Sequence, residues 1–445
     1  MRIQRIRLFI YIFFVSFLGI SQGKFHIVDS NKESITMPFV LANNLVVISA
    51  EVNGKELSFL LDTGIVNTIL FNLKFSDSLE LKHVEKIHLR GLGEGVPIEA
   101  LRSKNNLLQL KGISNPDHLI YIITDDMFEL SSKMGMDVHG IIGGDLFKDF
   151  IVKINYSTKK ITFYRPDSYD YKSCKKCETF PLEFFNQKPF INAFVENQLG
   201  EEHEVKLLID SGGGDALWLF KETHPKIMIP DKYFDDYLGM GLNGDIYGKR
   251  GKIAKFRIGS FIFENASVSY PDSISIVTAV QNNKKRNGTF GAEMLKRFHV
   301  VFDYPNKKVT FKKNKKYFND PFSYNKSGIE IVYGGEMLVK EINSSAGKKN
   351  TPKKETNNII EIINSYNLAY KPSYVIAKIR ENSPAYLSGL MVGDIILEIN
   401  GSHAYDKKME EIIHILSGRE HKKIKLLVSR KGKHLKYEFY LKDLL

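Results

Sequence analysis

The sequence predicts a mainly β protein, built as two homologous β lobes followed by a small α+β unit. Three observations predict it. Short apolar runs bounded by Gly, Asn and Asp fill most of the chain, the pattern of strands and turns rather than of long helices. Two separate segments recur at one spacing of 148 residues, which marks a duplicated unit. After about residue 314 the pattern changes, and a helical period enters between strand-like stretches.

The chain opens with MRIQRIR, a basic segment, then LFIYIFFVSFLGI, an apolar run, then Ser21-Gln22-Gly23 with small residues at cleavage positions. Thirteen apolar residues are too few to cross a bilayer as a helix. Residues 1–23 therefore read as a signal peptide. The expectation is an exported chain, periplasmic or secreted, with no stable membrane span once the leader is cut. A hydrophobic content of 43% and a charged content of 26% are those of a globular protein. The net charge is +12, three of it on Arg2, Arg5 and Arg7. The remaining cations are scattered and form no basic stripe, so nucleic acid is not an expected partner. Cys174 and Cys177 are the only cysteines, as C-K-K-C, whereas a zinc ribbon needs two such pairs. No metal and no cofactor are expected; a small local disulfide or an incidental pair are both open.

The duplication centres on two aspartates. LLDTGIVNTIL (60–70) carries Asp62, and LLIDSGGGDALWLF (207–220) carries Asp210. At the same spacing, HGIIGGDLFKDFIVKINYSTKKITFY (139–164) falls on NGTFGAEMLKRFHVVFDYPNKKVTFK (287–312) without a gap, identical at 10 of 26 positions. A hairpin pattern precedes each aspartate, and a glycine-rich tip follows it: Gly91-Leu92-Gly93-Glu94-Gly95, then Gly241-Leu242-Asn243-Gly244-Asp245. These matches place the lobes at 36–166 and 178–314. Each lobe then brings one Asp-(Thr/Ser)-Gly to a pseudo-twofold axis.

Two carboxylates held within hydrogen-bonding distance share one proton, because both cannot ionise easily. The ionised one can activate water, and the protonated one can polarise a carbonyl. Gly64 and Gly212 would let the loops approach across the axis, where a Cβ would obstruct. The Thr63 and Ser211 hydroxyls could tie each loop to the other. These segments, LLDTG with LLIDSG and HGIIG with NGTFG, resemble the aspartic peptidases of the bilobal, single-chain kind with retroviral-type lobes. The resemblance covers 36–314 and implies two acid-protease β-barrel lobes. It implies Asp62 and Asp210 as the catalytic dyad, and the tips, with Leu92, Gly93, Gly241 and Leu242, as flaps over a protein or peptide substrate. Pepsin-like members carry a hydroxyl residue after each triplet; Ile65 and Gly213 stand there in this chain. Fewer donors leave the ionised dyad less stabilised, so the expected pH optimum is nearer neutral than gastric. A serine-nucleophile elbow and an HExxH metal spacing are both absent from the sequence. The competing expectation is a non-catalytic peptide-binding or assembly protein that retains the fold. His139 reads as a solvated loop residue, Trp218 as lobe core, and Tyr247 has no assigned role.

In the last third, Asn382-Ser383-Pro384-Ala385, Ser388-Gly389-Leu390, Gly393-Asp394-Ile395-Ile396 and Ile399-Asn400-Gly401 follow in order, ahead of KKMEEIIHILS. This stretch resembles a PDZ domain of the bacterial kind, placed at 322–445, with a lysine-rich loop at about 340–371. The resemblance implies a small α+β barrel that takes a peptide C-terminus as an added strand. The groove would run along Gly328, Ile329 and Ile331 on one side and Met409, Ile412 and Ile413 on the other. Packing of this domain against the lobes alone is the other expectation.

Overall fold

The computed structural model describes residues 23–71, 79–89, 92, 97–124, 129–171, 174–283, 285–342 and 366–445. Residues 1–22 of the expected signal peptide 1–23, and Gly91, Gly93, Glu94 and Gly95 of the first tip, lie outside the described residues. The rest is mainly β, in four sheets with few and short helices.

The first and third sheets are built alike. In the first, strands Lys55–Leu61, Leu45–Val52, Ile98–Leu110, Ile113–Ile123, Thr68–Phe71 and Gly140–Ile142 pair in a closed ring. In the third, Glu202–Asp210, Lys188–Glu196, Gly244–Ile258, Phe261–Pro271, Leu217–Leu219 and Gly288–Gly291 close in the same order. Even the register repeats: Phe59 pairs in parallel with Gly140, and Leu207 with Gly288, each partner displaced by the same 148 residues. Parallel pairing buries both faces of a strand. That is why these strands read as unbroken apolar runs: Leu60, Leu61, Leu208 and Ile209 are all buried.

A six-stranded sheet joins the halves. Ser34–Pro38, Lys160–Tyr164 and Ile151–Asn155 come from the first, and Phe298–Asp303, Lys308–Lys313 and Cys177–Pro181 from the second. They meet where Ile151–Asn155 runs antiparallel to Phe298–Asp303. One apolar core runs through both halves, with Phe147 edge-on to Phe302 and stacked on Tyr304. Ordered structure begins before the expected position 36: Phe25 and Ile27 are buried in that core, and His26–Ile27 pairs with Ile113 and Ser114. Cys174 and Cys177 are disulfide-bonded in the connector.

The last sheet runs Ile329–Ile342, Tyr366–Ile379, Ile395–Ile399, Lys423–Arg430 and Lys433–Tyr440 over its own apolar core. Its first two strands pair out to Ile342 and Tyr366. Positions 340–342 and 366–371 of the expected loop are therefore strand, because cross-strand pairing continues past Val339; 343–365 lie outside the described residues. Asp394 of the Gly-Asp turn is fully buried and takes two bonds from Arg430, at 2.7 Å each. The helix Met409–Leu416 turns Met409, Ile412 and Leu416 into the core.

Candidate active site

Both strands Lys55–Leu61 and Glu202–Asp210 deliver an aspartate to the junction of the halves. Asp62 N–H donates to Ile142 O at 3.0 Å, and Asp210 pairs with Gly291, so each aspartate is clamped by its HGIIG or NGTFG segment. The two carboxyls face each other across the junction, close enough that the charge of Asp210 bears on Asp62. Thr63 N–H donates to Ser211 Oγ at 3.0 Å, and Ser211 N–H donates to Thr63 Oγ1 at 3.0 Å. The same hydroxyls donate onward, Thr63 to Ile209 O at 2.8 Å and Ser211 to Leu61 O at 2.9 Å. Both side chains are buried, and every bond crosses between the halves. Glycine follows for a steric reason: a Cβ on Gly64 would lie 2.7 Å from Asp210 Cγ, and one on Gly212 would strike the Asp62 carboxyl.

The electrostatics of the two aspartates differ. Asp62 is 8% exposed and accepts one backbone bond, from Gly64 N–H at 2.6 Å. Burial, then the charge of Asp210, hold its carboxyl well above the usual aspartate range; the Gly64 bond and Lys188 oppose them. Asp210 Oδ1 accepts two bonds, from Gly212 N–H at 3.0 Å and Gly213 N–H at 2.9 Å. Gly213, the residue after the second triplet, thus supplies its backbone N–H to the Asp210 carboxyl.

Leu92 of the first tip meets the second tip beside this site. Asn243 N–H donates to Leu92 O at 2.7 Å, and a Cβ on Gly241 would collide with that same carbonyl. Leu92, from the first half, packs on Phe220, Ile276 and Ala279 of the second. Leu242, from the second half, packs on a cluster of the first that includes Leu45, Leu60 and Val138. Leu92 and Leu242 are each seated in the opposite half.

Beneath the tips lies a cavity of about 1610 Å³, lined by both aspartates and also by Ile329, Ile331 and Lys378 of the C-terminal unit. That unit grips the second tip hairpin. Lys378 Nζ lies 2.7 Å from Asp245 Oδ2 and 3.4 Å from the Tyr237 ring centre, and Arg380 lies 3.6 Å from Asp236 Oδ1. Asp236 also holds Arg250 at 3.0 Å, and Arg250 holds Asp215 at 2.9 Å. Asp215 closes the GGGD loop and accepts from Trp218 Nε1 at 2.8 Å. Ion pairs therefore run from the C-terminal unit to the loop that bears Asp210.

Several expected roles shift. Trp218 lines the cavity instead of filling the core, because Asp215 draws its N–H towards the loop. His139 is half-buried in the sheet: its Nδ1 accepts from Ser58 N–H at 3.1 Å, as Asn287 Oδ1 accepts from Lys206 N–H at 2.8 Å in the other half. Gly328 is buried against Ser383 at positive φ, not exposed. Ile329 and Ile331 join Met409 and Ile412 in the core, while Gly328, Ile329, Ile331 and Ile413 border the cavity. The turn that would receive a carboxylate is already occupied: Asn325 Oδ1 accepts from Ser327 N–H at 3.0 Å and Gly328 N–H at 3.3 Å, and Ser327 Oγ accepts from Ile329 N–H at 3.1 Å. Met409 packs on Gly135 of the first half, and Glu410 accepts from Asn43 N–H at 3.1 Å, so the near end of the helix abuts that half.

Three neighbours of the dyad had no motif to announce them: Lys188, Arg286 and Tyr304. Lys188 and Arg286 act on the aspartates through charge, and the fully buried Tyr304 hydroxyl is near Asp62 with no hydrogen-bond partner among the described residues. Comparing the halves position by position exposes the first two, since the first half carries Leu45 and Val138 at the corresponding places. No group of residues with the makings of a metal site occurs among the described residues.

A family model described as aspartyl protease matches residues 48–146, and one described as PDZ domain matches residues 375–430. No curated protein matches the chain. The chain carries an aspartyl protease domain and, at its C-terminal end, a PDZ domain.

Proposed function

We propose that this protein is an exported aspartic endopeptidase whose two retroviral-type lobes supply one aspartate each. The observation that carries the reading is the pair of reciprocal Thr63–Ser211 bonds, which lock two loops and bring Asp62 and Asp210 face to face. Asp62, buried and with a single N–H donor, holds the proton; Asp210, with two, is the carboxylate. Asp210 takes a proton from a bound water as its oxygen bonds to the amide carbonyl carbon. Asp62 gives its proton to the carbonyl oxygen, leaving a neutral tetrahedral diol. Asp210 then protonates the departing nitrogen, the C–N bond breaks, and Asp62 recovers a proton from a diol hydroxyl as the new carboxyl forms. Substrate lies extended in the cavity that both aspartates line. Export rests on the leader-like residues 1–23.

The PDZ domain acts in this reading on its own enzyme. Its strands wall the cavity and its cations hold the second tip hairpin, while its carboxylate turn is filled by Asn325. Cleavage of an unbiased peptide mixture by the chain from Lys24 onward, read by mass spectrometry beside Asp62→Asn, tests the whole. Cuts that vanish in the variant support proteolysis; binding without cuts in either protein supports the non-catalytic scaffold instead.

A further inference from the structure

The cavity beside the dyad holds two cations without a carboxylate of their own. Arg286 is 7% exposed; its Nε donates to Gly288 O at 3.1 Å, one terminal nitrogen donates to Thr289 Oγ1 at 2.7 Å, and its guanidinium lies 5.0 Å from the Phe220 ring centre. None of these partners is charged. Lys188 opens the strand Lys188–Glu196 and lines the same cavity. Neither forms an ion pair with an acidic side chain among the described residues; burial and then the charge of Arg286 push the Lys188 ammonium down, Asp62 and Asp210 oppose them, and Asp210 likewise supports the charge of Arg286. Burial pushes the Arg286 guanidinium down to about 10, so it stays charged at neutral pH.

The duplication supplies an internal control. Val138 stands 148 residues before Arg286, and Leu45 takes the place of Lys188, since Val47 pairs with Leu60 as Phe190 pairs with Leu208. Val138 and Leu45 are buried in one apolar cluster. The same two positions are therefore apolar in one lobe and cationic in the other, and the lobe architecture does not require the cations. A singly protonated dyad carries one negative charge against two positive ones. Next to the dyad the two cations outnumber its single negative charge, a local imbalance that a bound anion relieves, while the cavity wall as a whole also carries acids such as Asp215, Asp236 and Asp272.

We propose that Arg286 and Lys188 form a carboxylate-binding subsite of the cleft, which directs hydrolysis to bonds close to an acidic side chain or to a free C-terminal carboxylate. The apolar wall of the first lobe then faces an apolar side chain, and the cationic wall of the second faces the acid. The proposal rests on the endopeptidase reading. Guanidinium is suited to the task because it can bind a carboxylate through two parallel N–H groups.

The test uses peptides that differ at one position near the cut, Glu against Gln against Leu, each with a free and an amidated C-terminus. Wild-type kcat/KM should favour Glu over Gln by about tenfold or more, the size of a charge-assisted hydrogen bond. Arg286→Gln and Lys188→Gln should each reduce that ratio towards one, with the rate on the Leu peptide reading separately what the loss of charge does to the dyad; Arg286→Lys should retain part of the ratio. Lys188→Glu should turn the preference towards a basic residue, a change that simple loss of folding does not produce. A preference that survives amidation assigns the carboxylate to a side chain; one abolished by it assigns the chain terminus. The same peptides are titrated into Asp62→Asn by fluorescence anisotropy, which reads the subsite without catalysis. Preferential binding of Glu peptides there, with no cleavage by wild type, sustains the subsite and refutes proteolysis. Cleavage and binding that ignore charge overturn the subsite and leave proteolysis standing.

Discussion

Thr63 and Ser211 each donate a backbone N–H to the other's hydroxyl, both at 3.0 Å, and thereby lock together two loops 148 residues apart in sequence. Neither loop could place its aspartate alone. With the onward bonds to Ile209 O and Leu61 O, each hydroxyl is both donor and acceptor, and the network is buried.

Thr63→Val keeps the shape and removes the hydroxyl. It strands the Ser211 N–H in a buried site, which costs about 1–3 kcal/mol. The expected outcome is a lower melting temperature and a loss of kcat larger than any change in KM, because the fault lies in the dyad and not in substrate contacts. Ser211→Ala should match it. Melting curves and steady-state kinetics check the pair.

The lowered acidity of Asp62 sets the pH profile. Burial and the charge of Asp210 keep it protonated above the ordinary aspartate range of about 3.9, so the form with one proton should persist towards neutral pH. The rate maximum is expected above about pH 4, with the alkaline limb marking loss of the Asp62 proton. A kcat/KM profile from pH 3 to 8 measures it.

The PDZ domain should be felt at the catalytic loop. Arg380 bonds Asp236, Asp236 bonds Arg250, Arg250 bonds Asp215, and Asp215 accepts from Trp218, the single tryptophan of the chain. Arg380→Gln is expected to shift Trp218 emission and lower kcat, with little change in melting temperature. Lys378→Asp should release the second tip hairpin, and pairing it with Asp245→Lys should restore the hold in part.

A buried pair behind the first catalytic loop gives a stability prediction. His118 Nε2 lies 3.5 Å from Asp145 Oδ2, yet burial pushes the histidine down to about 3 and the aspartate up to about 7. At moderately acid pH both are therefore neutral, and no ion pair forms. The folded Asp145 keeps its proton up to about 7, whereas the unfolded one releases it near 3.9, so its contribution falls as pH rises through that window. The folded His118 stays neutral down to about 3, so its contribution rises with pH up to the unfolded value near 6.5. Asp145→Asn removes only the first. It should raise the melting temperature more at pH 8 than at pH 5.

Much of this architecture was legible in the sequence because the duplication repeats chemistry and not only hydrophobicity. Asp62 and Asp210, with Thr63, Ser211 and the two glycines, stand in motifs whose steric and hydrogen-bonding needs are local. Lys188, Arg286 and Tyr304 stand in no motif; they come from distant strands, and only folding brings them to the dyad. The reciprocal seating of Leu92 and Leu242 was hidden for the same reason. Trp218 read as core because ALWLF is apolar, while its N–H partner Asp215 sits in a glycine run that looked featureless. Asn325 escaped notice because filling a turn with an amide oxygen leaves no pattern in the residues around it.

The central claim is that Asp62 and Asp210 act together on one water. The most direct measurement is turnover of a single cleaved peptide by the chain from Lys24 onward, beside Asp62→Asn and Asp210→Asn, with folding of each verified by its melting curve. The account predicts that either change alone abolishes cleavage while peptide binding persists. Full activity in either variant would contradict it.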